Sequence, residues 1–231
     1  MPHLLELFAG TKSVGKVFEA AGWRVTSVDL LPRFLPTICM DVMDLDVSDL
    51  VGDVDLMWAS PPCTHYSRAR SCAKTPRDLV GSDRMVQKCL DIAAQLGCPW
   101  FMENPYTGLL KGRAVVAGIP YRIVDYCKYH DHRCTHRAQK RTAIWTNTDW
   151  MPSRAALPQG LRALRGQSAS RLRADQGLQR LQEAYEGRPL RHTAPAGRGH
   201  FRVGPRPKLP KNWTRVVGPR RILGIFIALQ N

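Results

Sequence analysis

A chain of 231 residues with 44% hydrophobic content is long enough for one sizeable α/β domain with an ordinary core. No apolar run reaches the roughly 18 to 20 residues that cross a bilayer, and the opening "MPHLLELFAG" lacks the basic and long apolar segments of a signal peptide, so we expect neither a membrane-bound nor a secreted protein. The net charge of +15 lies in one half: residues 1–110 carry 10 Lys and Arg against 13 Asp and Glu, residues 111–231 carry 24 against 6, a distribution that suits a polyanion such as nucleic acid or, more plainly, a solvated basic tail.

In chain order, "HLLELF" (3–8) reads as a short buried strand, followed by the turn "AGTKSVG" and a helix, "SVGKVFEAAG", that Gly22 ends. "WRVTSVDL" (23–30) is a second strand finishing on Asp29, "PTICMDV" (36–42) a short third and "VDLMWAS" (54–60) a fourth. Residues 76–96 have apolar residues at helical spacing, and "PWFMENP" (99–105), "YRIVDYC" (121–127) and "RTAIWTN" (141–147) supply three more strands. Strands alternating with helices predict a doubly wound, mostly parallel seven-stranded sheet flanked by helices, within residues 1–150. Residues 151–211, rich in Arg, Gly, Pro and Ser, read as a small basic module or partly ordered arm, and residues 212–231 as a segment returning to the core. Seven cysteines without framework spacing imply free thiols in a reducing compartment.

Three places at strand ends carry chemistry. Gly10 after the first strand lets backbone approach a ligand at the carboxyl edge of a parallel sheet, and Asp29 can accept from ribose hydroxyls. Such a pair also arises by chance in many α/β chains, and Lys12 breaks the full G-x-G-x-x-G pattern, which disfavours a nicotinamide cofactor. "SPPC" places Cys63 on a proline-restricted loop in the same crevice, and "ENP" places Glu103 at the next strand end. A thiol and a carboxyl there make an attacking group and a proton donor; inert packing and a simple turn are the plain alternatives.

Taken in this order, the motifs resemble those of the DNA cytosine-5 methyltransferases, in the short form found in phage and viral genomes. "LELFAGTKSVGKVFEAAGW" is similar to their S-adenosylmethionine turn, "SVDL" to their ribose-binding acid, and "CMDV" to their adenine-contacting segment. "SPPCTHYS" resembles the catalytic Pro-Cys loop, "MENP" the Glu-Asn motif and "QKRTAIW" the Gln-x-Arg strand, so that the likeness runs across residues 3–147.

The resemblance implies a class I Rossmann-like S-adenosylmethionine-dependent methyltransferase. It implies that Phe8, Ala9, Gly10, Thr11, Ser13, Asp29, Leu30, Asp41, Val42, Ser60 and Pro61 hold the cofactor. Cys63, Glu103, Asn104 and Arg141 would be catalytic, with Ser67, Arg137, Gln139 and Lys140 binding the substrate. The implied reaction transfers a methyl group to C5 of a cytosine flipped out of duplex DNA or met in single-stranded DNA, through a covalent Cys63 adduct. We further expect a monomer that stays inside the cell with the DNA, without a membrane; RNA is a variant substrate.

Two positions depart from the pattern. Lys12 stands where the family has a second glycine, and Ala143 where it has a second arginine, so the contact to the cytosine carbonyl is expected from Arg141, Lys140 or Arg137. The Arg-x-x-Thr-x-x-Glu helix and the closing Gly-Asn-Ser-Val segment of full-length members are not found, which leaves only residues 151–211 for target recognition and suggests low sequence specificity. The alternatives are a methyltransferase for exocyclic amines, whose Ser-Pro-Pro loop ends in an aromatic residue instead of Cys63, and an inactive basic DNA-binding protein of the same fold.

"YCKYHDHRCTHR" gathers Cys127, His130, His132, Cys134 and His136, which are ligand types for zinc. Its spacing lacks two separated knuckles, so the expectation is a basic loop and no metal. Trp145, Trp150 and Trp213, scattered among arginines, either stack on bases or belong to the core.

Overall fold

The structure, a computed structural model, describes residues 1–126 and 140–152. Outside the described residues lie the Cys127 to His136 cluster, Arg137, Gln139, Trp213, and the 151–211 and 212–231 regions except Met151 and Pro152.

Seven strands form one sheet: β1 (His3–Leu7), β2 (Arg24–Asp29), β3 (Ile38–Cys39), β4 (Leu56–Ala59), β5 (Trp100–Pro105), β6 (Tyr121–Asp125) and β7 (Arg141–Thr146). Their order is β3-β2-β1-β4-β5-β7-β6. The pairs from β3 to β5 are parallel, and β7 runs antiparallel to both β5 and β6. This is the mostly parallel Rossmann-like sheet that the strand pattern predicts. Its order reverses at β1: the chain moves outward to β2 and β3, then returns to β4 on the other side. The carboxyl ends of β1 and β4 therefore open a crevice where ligands of such sheets bind.

Central strands are buried on both faces, as in a sheet covered on each side, and successive side chains divide between two cores. Leu5, Leu7, Met57, Ala59 and Met102 join Val86 and Ile92 of the helix α2 (Leu79–Leu96). Leu4, Leu56, Trp58 and Phe101 join Val14 and Phe18 of the helix α1 (Ser13–Glu19). Asp78 caps α2 by accepting from the Gly81 N–H at 2.7 Å, and Gly97 ends it with φ of 62°. Among the described residues, no helix is long and apolar enough to cross a membrane.

The elements shorten where local chemistry demands it. The third strand contracts to Ile38–Cys39, because Pro36 has no N–H to donate and Asp41 caps the following turn by accepting from Met43 N at 2.9 Å. Trp145 and Trp150 are core residues, not base-stacking platforms: they are 1% and 8% exposed, and Trp150 meets Phe101 edge-on at 5.7 Å.

Lys12 takes the left-handed conformation, φ 57° and ψ 40°, at the entry to α1. The substitution for glycine is thus absorbed as backbone strain, while the lysine Nζ donates to Leu35 O at 2.9 Å. Lys12→Gly is expected to stabilise the fold by about 1 kcal/mol, read as a higher urea midpoint at unchanged slope. A lower midpoint would show that the Leu35 contact outweighs the strain.

Candidate functional site

Four strand ends meet at the crevice. After β1, the chain turns sharply through Phe8 and Gly10, both with positive φ (56° and 50°). Asp29, at the end of β2, is 9% exposed and holds this turn: its Oδ2 accepts from Gly10 N at 2.8 Å and its Oδ1 from Leu31 N at 2.9 Å. Ala9 N donates to Val28 O at 3.1 Å, which locks β1 and β2 together just below. Thr11 and Ser13 bond each other at 2.9 Å on the exposed side, and Leu30 projects with 60% exposure. Val42 is buried, and Asp41 is tied to its own turn.

Glu6, inside the "LELFAG" stretch, has no local sequence signal that marks it as a helix cap. Its buried carboxylate accepts from Val14 N at 3.3 Å and Gly15 N at 3.0 Å, capping α1 from within the sheet. Burial pushes its carboxyl up to about 7, against the opposing effect of those two N–H groups. A Cβ on Gly15 would lie 2.5 Å from Glu6 Oε2, so the close approach of helix to carboxylate needs glycine there.

Cys63 follows β4 on a loop held from several sides and is a half-buried free thiol. Ser60 N donates to Leu7 O at 3.2 Å, Trp58 Nε1 donates to Ser60 Oγ at 3.0 Å, and Asn104 Nδ2 donates to Pro61 O at 2.9 Å. Beyond the thiol, the N–H groups of Tyr66 and Ser67 both donate to Cys63 O, at 3.0 and 2.9 Å. Ser67 Oγ accepts from Ala69 N at 3.2 Å, and Arg77 donates to the carbonyls of His65 and Ser67. By contrast, Cys89 and Cys98 are buried, and burial pushes their thiols up to about 12 and about 11, which leaves them inert.

Glu103 and Asn104 leave β5 on opposite faces. Glu103 is 9% exposed, burial holds its carboxyl above the ordinary glutamate range, and Oε2 has no hydrogen-bond partner among the described residues. The charge of Lys140 acts on it in the opposite direction, and Lys140 Nζ also lies 5.1 Å from the centre of the Tyr126 ring. Asn104 is 1% exposed, and its bond to Pro61 O gives it a scaffolding role between β5 and the Cys63 loop. Arg141 is gripped by buried Asp125, Nε to Oδ1 at 2.8 Å and Nη2 to Oδ2 at 2.9 Å, across the β6–β7 pair. Ala143 is fully buried opposite Asn104.

The sheet order thus brings the Gly10 turn, Asp29, the Cys63 loop and Glu103 to one edge of neighbouring strands. Such an edge can hold a nucleoside-bearing ligand at β1 and β2 and present a thiol and a buried carboxyl beside it.

No protein-family model matches the chain. Among solved structures it is similar to the Schizosaccharomyces pombe Dnmt2 methyltransferase, 17% identical with a TM-score of 0.42, and to the Entamoeba histolytica methyltransferase EhMeth, 15% identical with a TM-score of 0.46. Each alignment covers 63% of this chain and 50% or 52% of the other, so the chain spans about half the length of those proteins. Over 162 residues it is 32% identical to a Frog virus 3 (isolate Goorha) protein described as a probable DNA (cytosine-5)-methyltransferase, covering 64% of this chain and 71% of the viral one. With this likeness added to the ordered motifs at the sheet edge, the chain belongs to the DNA (cytosine-5)-methyltransferase family.

Proposed function

We propose that the protein methylates C5 of cytosine in DNA, with Cys63 as nucleophile and Glu103 as acid. The observation that carries this reading is Glu103: a buried carboxyl whose burial favours the protonated form, with one oxygen lacking a partner among the described residues. A buried polar atom without a bond is costly unless a ligand completes it, and the ring nitrogen N3 of an extruded cytosine has the complementary lone pair.

The residues at β1 and β2 suit S-adenosylmethionine. The space where a Gly10 Cβ would stand is open, Asp29 retains acceptor capacity beside its two N–H bonds, and exposed Leu30 offers an apolar surface next to it. Bound there, S-adenosylmethionine supplies an electrophilic methyl group on a sulfonium. Phe8, Ala9, Gly10, Thr11 and Ser13 would line its amino-acid end, Asp29 its ribose, and Asp41 and Val42 its base, with Ser60 and Pro61 closing the far side.

The protein's own groups then act on cytosine. The Cys63 thiolate adds to C6, forming an S–C6 bond and moving an electron pair toward C5; Glu103 donates its proton to N3 and so accommodates that charge. C5, now enamine-like, would take the methyl group as the carbon–sulfonium bond breaks, the sulfur departing as a neutral thioether. Loss of the C5 proton to a base then restores the C5–C6 double bond and expels the Cys63 sulfur, and N3 returns its proton to the Glu103 carboxylate. The basic residues of the 111–231 half serve to hold phosphates. Asn104, tied to Pro61, keeps the loop and the acid in register, Lys140 is the cation that acts on Glu103, Arg141 braces β7 through Asp125, and Ser67 stands on the substrate side.

Incubating the full chain with methyl-labelled S-adenosylmethionine and either DNA or RNA, then digesting to nucleosides, tests this. Label in 5-methyldeoxycytidine is the expected result. Label only in N4-methylcytidine, N6-methyladenosine or ribonucleosides, or no label at all, overturns it.

A further inference from the structure

The Cys63 loop is anchored most heavily at a residue that takes no part in the chemistry above. Tyr66 is fully buried in the core on the α2 face of the sheet. Its N–H donates to Cys63 O at 3.0 Å, its carbonyl accepts from Leu109 N at 2.9 Å, and its hydroxyl donates to Asp83 Oδ1 at 2.8 Å. One residue therefore ties the nucleophile's own carbonyl to the segment following β5 and to α2.

Asp83 is held in turn. Arg113 donates from Nε to Oδ2 at 3.0 Å and to Oδ1 at 3.2 Å, and from Nη2 to Oδ2 at 2.6 Å. The two-point guanidinium grip fixes the carboxylate, and a fixed carboxylate is a rigid acceptor for the tyrosine hydroxyl. A phenyl ring would fill the same core volume, so packing alone does not call for the hydroxyl. Its contribution is direction: it sets the angle at which the loop leaves the core, and with it the placement of Cys63 relative to the strand that carries Glu103. Reaction rates depend steeply on such placement, about 100-fold for a displacement near 1 Å.

We propose that Tyr66, braced by Asp83 and Arg113, is a positioning residue that holds Cys63 at reacting distance from C6 of the substrate ring. This rests on the assignment of Cys63 as nucleophile. Tyr66→Phe keeps the ring and removes the anchor, and Asp83→Asn weakens the same link from the other side.

The test uses the full chain and a random-sequence duplex carrying 5-fluorodeoxycytidine, in which the fluorine on C5 blocks the final elimination and traps the adduct. With cofactor present, Tyr66→Phe is expected to slow adduct formation and kcat by about 10- to 100-fold. KM for DNA and for S-adenosylmethionine should stay within about twofold of wild type, a split that general loosening of the fold does not produce. The double variant with Asp83→Asn should be no slower than Tyr66→Phe alone, because both cut one connection. An unchanged adduct rate in Tyr66→Phe, or a loss confined to KM, overturns the proposal. Absence of adduct in the wild-type protein overturns the assignment of Cys63 itself, and is thereby told apart from a failure of the positioning role.

Discussion

Cys63→Ala is expected to lower kcat by about 10⁴-fold or more while leaving the protein folded, and to abolish the trapped adduct with 5-fluorodeoxycytidine DNA. C5 of cytosine is a weak nucleophile, and only covalent addition at C6 gives it enamine character. On the proposed mechanism, removing the sulfur removes the pathway, and hydrogen bonds to the base do not replace it. The loop itself should survive, because what holds it are the carbonyls of Pro61 and Cys63, which accept from Asn104, Tyr66 and Ser67, and alanine keeps these carbonyls. A half-buried side chain shortened by one sulfur outside the close-packed core changes stability by about 0.5 kcal/mol or less. Measuring kcat beside a melting curve separates the two quantities. Undiminished 5-methylcytosine formation by Cys63→Ala would sink the covalent mechanism.

Glu103→Gln should cost about 10² to 10⁴ in kcat. The amide matches the carboxyl in size and can donate an N–H, but it has no proton to give to N3. The pH dependence should change as well. Burial raises the Glu103 carboxyl, so the active, protonated form persists above the ordinary glutamate range and is lost as pH rises through the elevated value. Wild type should therefore show an alkaline decline in kcat/KM that Glu103→Gln lacks. The sign for stability is the same: a carboxyl raised in the folded state contributes stability that is complete below the unfolded value and fades as pH rises through the folded one. An alkaline limb that persists unchanged in Glu103→Gln would assign it to another group.

The departures from the family pattern acquire physical content in the fold. Lys12 keeps the turn that glycine would make by adopting the left-handed conformation, so the backbone path from Phe8 to Gly10 is retained. Ala143 faces Asn104 across β5 and β7 in a fully buried position, and Arg141, the arginine that remains, is committed to Asp125. Lys140 is then the described cation whose charge reaches Glu103.

All seven strands and both α-helices of the described residues were legible in the sequence, because each signal is local: apolar runs for strands buried on both faces, a 3.6-residue period for α2, and glycine or proline at the ends. Knowing that the strands β1, β2, β4 and β5 run parallel is enough to put Gly10, Asp29, Cys63 and Glu103 at their carboxyl edge, since each lies at or just beyond the end of its strand. Tertiary structure alone decided what those residues touch. That Asp29 spends one bond on Gly10, that Asn104 holds Pro61, that Asp125 claims Arg141 and that Tyr66 reaches Asp83 all depend on strand register and on the packing of a helix against the sheet. Such contacts join residues 16 to 43 positions apart, where no periodicity or spacing rule operates. The sequence by itself therefore determined which groups are available for chemistry and at which edge they stand. Only the packed fold decided which of them are held in place by partners and which, like Glu103, have an oxygen without a partner among the described residues.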